Sequence, residues 1–136
     1  MSKLIRPIVA PVFLLLVCAV FPTVSKAQEI TVEHYIAMDL LARQATLDGV
    51  RQRLNLLQSR ADRPEQLAQD SKTRQSVEAI YADFGTTSAQ AVAWATRNRQ
   101  AINHWLDGNP GLQAEYARIA RELEQVSARI QALASQ

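Results

Sequence analysis

From residue 31 onward, apolar positions recur in alternating steps of four and three, the spacing that keeps side chains on one face of an α-helix. The first such run is Ile36, Leu40, Arg43, Leu47, Val50, Leu54 and Leu57; it predicts a helix over about 32–60 with Thr31 as N-cap. Asp48-Gly49 falls inside it, where a glycine weakens the helix by about 1 kcal/mol relative to alanine and favours a kink. The second run, Leu67, Asp70, Arg74, Val77, Tyr81 and Phe84, predicts a helix over about 64–84, opened by Pro64 and stopped by Gly85. Thr87-Ser88-Ala89-Gln90 has the form of a capping box and starts a third helix, expected over 88–107 and ended by Gly108. Asn109-Pro110 restarts the chain for a fourth helix over about 110–133. Its seam is Leu112, Tyr116, Ile119, Leu123, Val126, Ile130 and Leu133, with no charge in it.

No segment alternates with the period of a strand, so the expected class is all-α. Three short connections favour an antiparallel four-helix bundle, while seams of heptad type leave a pair of long helical hairpins as the other arrangement. No internal repeat or low-complexity segment is evident in this reading.

The first 27 residues have the form of a cleaved signal peptide: Lys3 and Arg6, an apolar stretch from Ile8 to Phe21, then the small residues Ser25 and Ala27 at the cleavage site. The apolar stretch is about fourteen residues, against the roughly twenty needed to span a bilayer, so no stable membrane anchor is expected after cleavage. Cys18 suggests a lipoprotein, but Val17 stands where a lipobox has Gly, Ala or Ser. The expected organisation is therefore a leader, 1–27, and one helical domain, 28–136, exported to the periplasm or the outside of the cell.

Removal of the leader changes the charge. The whole chain of 136 residues carries 15 Lys and Arg, 13 Asp and Glu, and a net +2. Lys3, Arg6 and Lys26 belong to the leader, which has no acid, leaving twelve bases against thirteen acids in 28–136. The basic character is that of the export signal, and nucleic acid drops out as an expected partner. The single cysteine also leaves with the leader, so no disulfide supports the domain.

Catalytic motifs are scarce. Asp83-Phe84-Gly85 spells a kinase tripeptide without the remainder of a kinase, and here it closes a helix. His104 and Asp107 stand three apart but have no third ligand at suitable spacing, and His34 lies beside Glu33 in a first helical turn; neither metal nor cofactor is expected. Trp94 and Trp105, eleven residues apart, share one face of the expected third helix at the margin of the stripe Val92, Ala95, Ile102 and Leu106. They either close the core or offer an aromatic strip to a partner.

Three seams carry an arginine in an apolar position: Arg43, Arg74 and Arg99. In an up-down bundle, at about 1.5 Å of rise per residue, they fall within about 8 Å of one level. Converging guanidiniums would form a site for a carboxylate or phosphate. The structural alternative is a balanced network with Asp70, Glu78 and Glu122, the arginine stems packed and their heads at the rim.

A signal peptide followed by a helical domain with interior arginines resembles the secreted all-α chorismate mutases. Their motif pairs an upstream lysine with a downstream Asp-x-x-Arg-Glu. The corresponding segment here is Asp70-Ser71-Lys72-Thr73-Arg74-Gln75, one residue longer, with Gln75 in place of the acid and Lys72 inside it instead of upstream. The resemblance implies a small secreted enzyme holding an anionic ligand among arginines in the bundle interior. The residues themselves favour the other expectation: an exported adaptor or chaperone-like protein, without catalysis, whose partner is a protein, another or itself.

Overall fold

The structure is a computed structural model and describes residues 29–135. These form five helices and no strand: α1 (Val32–Gln58), α2 (Arg63–Asp83), α3 (Ser88–Arg97), α4 (Arg99–Asp107) and α5 (Pro110–Ala134). The leader lies outside the described residues. Among the described residues no helix is long and apolar enough to cross a membrane.

Local chemistry sets most boundaries. Thr31 caps α1 by accepting from the His34 N–H at 3.2 Å, and Asp62 caps α2 by accepting from the Glu65 N–H at 2.9 Å. The α3 capping box is complete: the Thr87 hydroxyl accepts from the Gln90 N–H, and the Gln90 side chain accepts from the Thr87 N–H, both at 3.2 Å. Gly85, at φ 73°, ends α2 in a left-handed turn in which Thr86 N–H donates to Tyr81 C=O. Arg60, at φ 57°, fills the same position after α1, with Ala61 N–H donating to Leu56 C=O.

Two asparagines depart from the expected pattern. The third helix of the sequence reading is divided at Asn98, whose side-chain amide donates to Trp94 C=O at 2.8 Å and closes α3. Asn109 stands at the N-cap of α5, but its side chain makes no bond to that helix; it donates to Trp105 C=O at 2.7 Å and finishes α4. A Trp-x-x-x-Asn segment thus occurs twice, eleven residues apart, each time finishing a helix.

The division reverses the last helix relative to an up-down bundle. A continuous third helix of twenty residues would run about 30 Å and deliver its successor to the far end. With α3 and α4 only ten and nine residues long, the pair bridges one end of the molecule. The ties between α1 and α5 rise together along both chains: Asp39 with Tyr116, Gln44 with Arg118, Arg51 with Glu122. α5 therefore runs parallel to α1, while α2, tied by Arg53 to Asp70 at 3.0 Å, runs antiparallel to it.

α1 is the middle helix, packed on α2 at one side and α5 at the other. At about 100° per residue, Ile36, Leu47 and Leu54 fall within about 20° of one direction, and Met38, Ala42 and Gly49 lie about 200–240° round from it. The first set faces α5 and the second faces α2. Met38 and Ala42 form a buried cluster with Tyr81 of α2 and Ala91 of α3, bordered by Tyr35, Val77 and Phe84. Across from it, α5 contributes a single fully buried residue, Ile119; the rest of its apolar seam is half-exposed.

Candidate functional site

Between the α3–α4 bridge and the start of α1 and α5 lies a groove of about 420 Å³, within the range typical of ligand sites. Tyr35, Asp39 and Arg43 of α1 stand at successive steps of four and form one wall with Tyr116 of α5; the opposite wall is Val92, Ala95, Thr96, Arg99, Ile102 and Leu106. The bridge residues Val92, Ala95, Arg99, Ile102 and Leu106 keep three-four spacing straight through the division at Asn98, so α3 and α4 present one continuous row to the groove.

Asp39 organises the first wall. It is 7% exposed, the one buried charged residue among those described. Its Oδ2 accepts from Arg43 Nε at 2.7 Å and from the Tyr116 hydroxyl at 2.9 Å. The Arg43 guanidinium carbon lies 5.3 Å from the centroid of the Tyr116 ring, close enough for cation–π attraction. Tyr35 packs against Trp94 with ring centroids 5.4 Å apart, joining α1 to α3.

Asp39 also acts on every tyrosine of the chain. Burial, with the Asp39 charge second, pushes the Tyr35 phenol up to about 12. Burial first and then Asp39 also raise Tyr81, and the same causes raise Tyr116 further, reinforced by its hydrogen bond to Asp39. For Arg43, burial opposes the charged form, but the bond and charge of Asp39 outweigh it and the shift is upward. A tyrosine that stays protonated in the fold after the unfolded chain has ionised makes stability fall as pH rises. Stability from these groups is expected to be complete below about pH 10 and to decline between about 10 and 12. Absorbance titration at 295 nm, native against urea-unfolded, measures this directly; native phenols that all ionise near pH 10 would contradict the arrangement.

The structure brings two of the three seam arginines together. Arg43 and Arg99 line the groove, whereas Arg74 lines a separate recess between α1 and α2 with Thr46, Gly49, Val50, Asp70, Thr73 and Val77. All three are exposed residues. The acids proposed to balance them are engaged elsewhere: Asp70 with Arg53, Glu122 with Arg118 and Arg51, and Glu78 with the hydroxyl and N–H of Ser88. Trp94 and Trp105, expected on one helix, stand half-buried on α3 and α4.

Asp70-Ser71-Lys72-Thr73-Arg74-Gln75 lies within α2, none of it in the groove. Asp39 lies off the apolar seam of α1, and its signal in the sequence is the polar stripe Tyr35, Asp39 and Arg43 at i, i+4 and i+8. Among the described residues no three His, Cys, Asp or Glu side chains gather to hold a metal ion; His34, His104 and Asp107 are all exposed. No family model, curated protein or solved structure matches this chain, so the groove's own residues carry the functional reading.

Proposed function

We propose that this is an exported helical protein that works by binding, without catalysis of its own, and that it receives a segment of a partner protein in the groove between α1, α5 and the α3–α4 bridge. The observation that carries the reading is the unpartnered row of the bridge. Val92 is 60% exposed, and Ile102 and Leu106 are only half-buried, yet they face a groove instead of a packed helix. Exposed apolar residues gathered in a concave surface and rimmed by charge are typical of interaction sites. The groove's one carboxylate, Asp39, is occupied by Arg43 and Tyr116, so it is poorly placed to act as a general acid or base. Export through the leader 1–27, and release from the membrane after cleavage, belong to the same proposal.

A photo-crosslinking amino acid placed at Val92 in the full chain, expressed in its native cell, tests the reading. The control is the same group at Arg129, exposed on α5 and outside the groove. Covalent adducts are expected from position 92 and should be depleted by Ile102→Glu. Equal yields at the two positions, or none at 92, would sink the proposal.

A further inference from the structure

The bridge row reads Val92, Ala95, Arg99, Ile102, Leu106: two apolar positions, a cation, then two more apolar positions, at helical steps of three and four. A row of this spacing is complementary to the same kind of row on another helix, and a charged residue inside it fixes both register and partner. The Arg99 side chain makes no ion pair or hydrogen bond among the described residues. Across the groove, Arg43 uses only its Nε on Asp39, leaving both terminal nitrogens without a partner among those residues; its side chain is 51% exposed. The Asp39 bond and the Tyr116 ring hold that guanidinium in place before anything binds. Two arginines therefore face one acid, which is already occupied, and the groove has a surplus of positive charge between apolar ends.

From this juxtaposition we infer that the partner segment is an amphipathic helix with one carboxylate side chain in its apolar row, seated between Arg99 and Arg43, with apolar neighbours on Val92 and Ala95 to one side and Ile102 and Leu106 to the other. The inference rests on the groove being the binding surface and adds the chemistry of what it takes. A planar carboxylate matches the paired donors of a guanidinium. A second copy of the chain is a poor occupant: among the seams of the sequence, only that of α2 contains an acid, and this Asp70 is held by Arg53 at 3.0 Å.

The test uses two labelled synthetic peptides with the same leucine and alanine row at three-four spacing, differing only in a central glutamate or glutamine. Fluorescence anisotropy with the purified full chain should show the glutamate peptide binding about tenfold more tightly, as a charge-assisted pair requires. Arg99→Gln lies on the surface and should fold normally, checked by its thermal midpoint. With Arg43 still in place, it should cut the preference to about threefold, roughly half of the tenfold in free energy, and Val92→Glu should weaken both peptides. Equal binding of the two peptides overturns the carboxylate inference but leaves the groove as an apolar docking surface. Failure of both to bind overturns the groove reading as well. A dimer in sedimentation velocity that Val92→Glu converts to monomer gives the row to a second copy and overturns the choice of partner.

Discussion

Gly49→Ala is expected to destabilise the protein by about 2 kcal/mol or more, the range of overpacking in a filled interface. For a domain of this size that is a fall in Tm of roughly 10 °C. Helix propensity alone predicts the opposite sign, since alanine is favoured over glycine in a helix by about 1 kcal/mol. The decisive term is the approach of α2. A Cβ built on Gly49 would lie 2.1 Å from Thr73 Oγ1, 2.3 Å from Thr73 Cγ2 and 2.8 Å from Thr73 Cβ. Thr73 cannot simply turn aside: its hydroxyl donates to Gln69 C=O at 3.0 Å and accepts from the Gln69 side chain at 3.2 Å. Relief therefore requires the two helices to separate beside the buried cluster of Met38, Ala42 and Tyr81.

Gly111 supplies the control, because a Cβ there meets nothing within 4 Å; Gly111→Ala should be neutral or stabilising by up to about 1 kcal/mol. In a double-mutant cycle, adding Thr73→Ala to Gly49→Ala removes the two closest atoms and should recover at least about 1 kcal/mol. A Gly49→Ala protein as stable as the parent in urea would show that α1 and α2 do not meet at this point.

The same glycine shows how far the sequence could be read. Steps of four and three identified the face of α1 made by Ile36, Leu47 and Leu54, because those residues are large and apolar. The opposite face uses Met38, Ala42 and Gly49, and small residues that permit close approach give almost no hydropathy signal. One stripe was therefore legible where the helix has two, and α1 was not recognisable as the middle of the fold. Turn chemistry was more transparent: the Thr87–Gln90 capping box and the Gly85 stop stand where the residue types place them. Asn98 was opaque. The three-four spacing runs past it unchanged, from Ala95 through Arg99 to Ile102, so only the side-chain bond to Trp94 reveals the division. The site followed from that division. Comparing heights in an up-down bundle placed Arg43, Arg74 and Arg99 together; the folded-back bridge gives Arg99 and Arg43 one groove and leaves Arg74 in a separate recess further along α1, beside Thr46 and Val50.

Asp39→Ala is expected to lower stability by about 2–3 kcal/mol, which is large for a side chain that contributes no apolar area. Hydrogen bonds to a charged group contribute about 1.5–3 kcal/mol each, and Asp39 accepts two, from Arg43 and from Tyr116 seventy-seven positions along the chain. Arg43 is half-exposed and water replaces part of its bond, so the larger share belongs to Tyr116. That tie has weight because α5 buries only Ile119 completely and otherwise rests on α1 with a half-exposed seam. Asp39→Asn preserves the shape and an acceptor oxygen but removes the charge, and should have about half the effect. Tyr116→Phe alone should remove about 1.5–2 kcal/mol, and its effect should nearly vanish once Asp39 is alanine. The tyrosine titration gives a second readout: in Asp39→Asn the Tyr35 midpoint should fall from about 12 but stay above 10, because burial is the larger cause of its elevation. Denaturation of Asp39→Ala within about 0.5 kcal/mol of the parent would mean that α5 is held by its apolar seam alone. Arg43 would then have lost its anchor at no cost to the fold, and its readiness to receive a carboxylate would have to come from the Tyr116 ring.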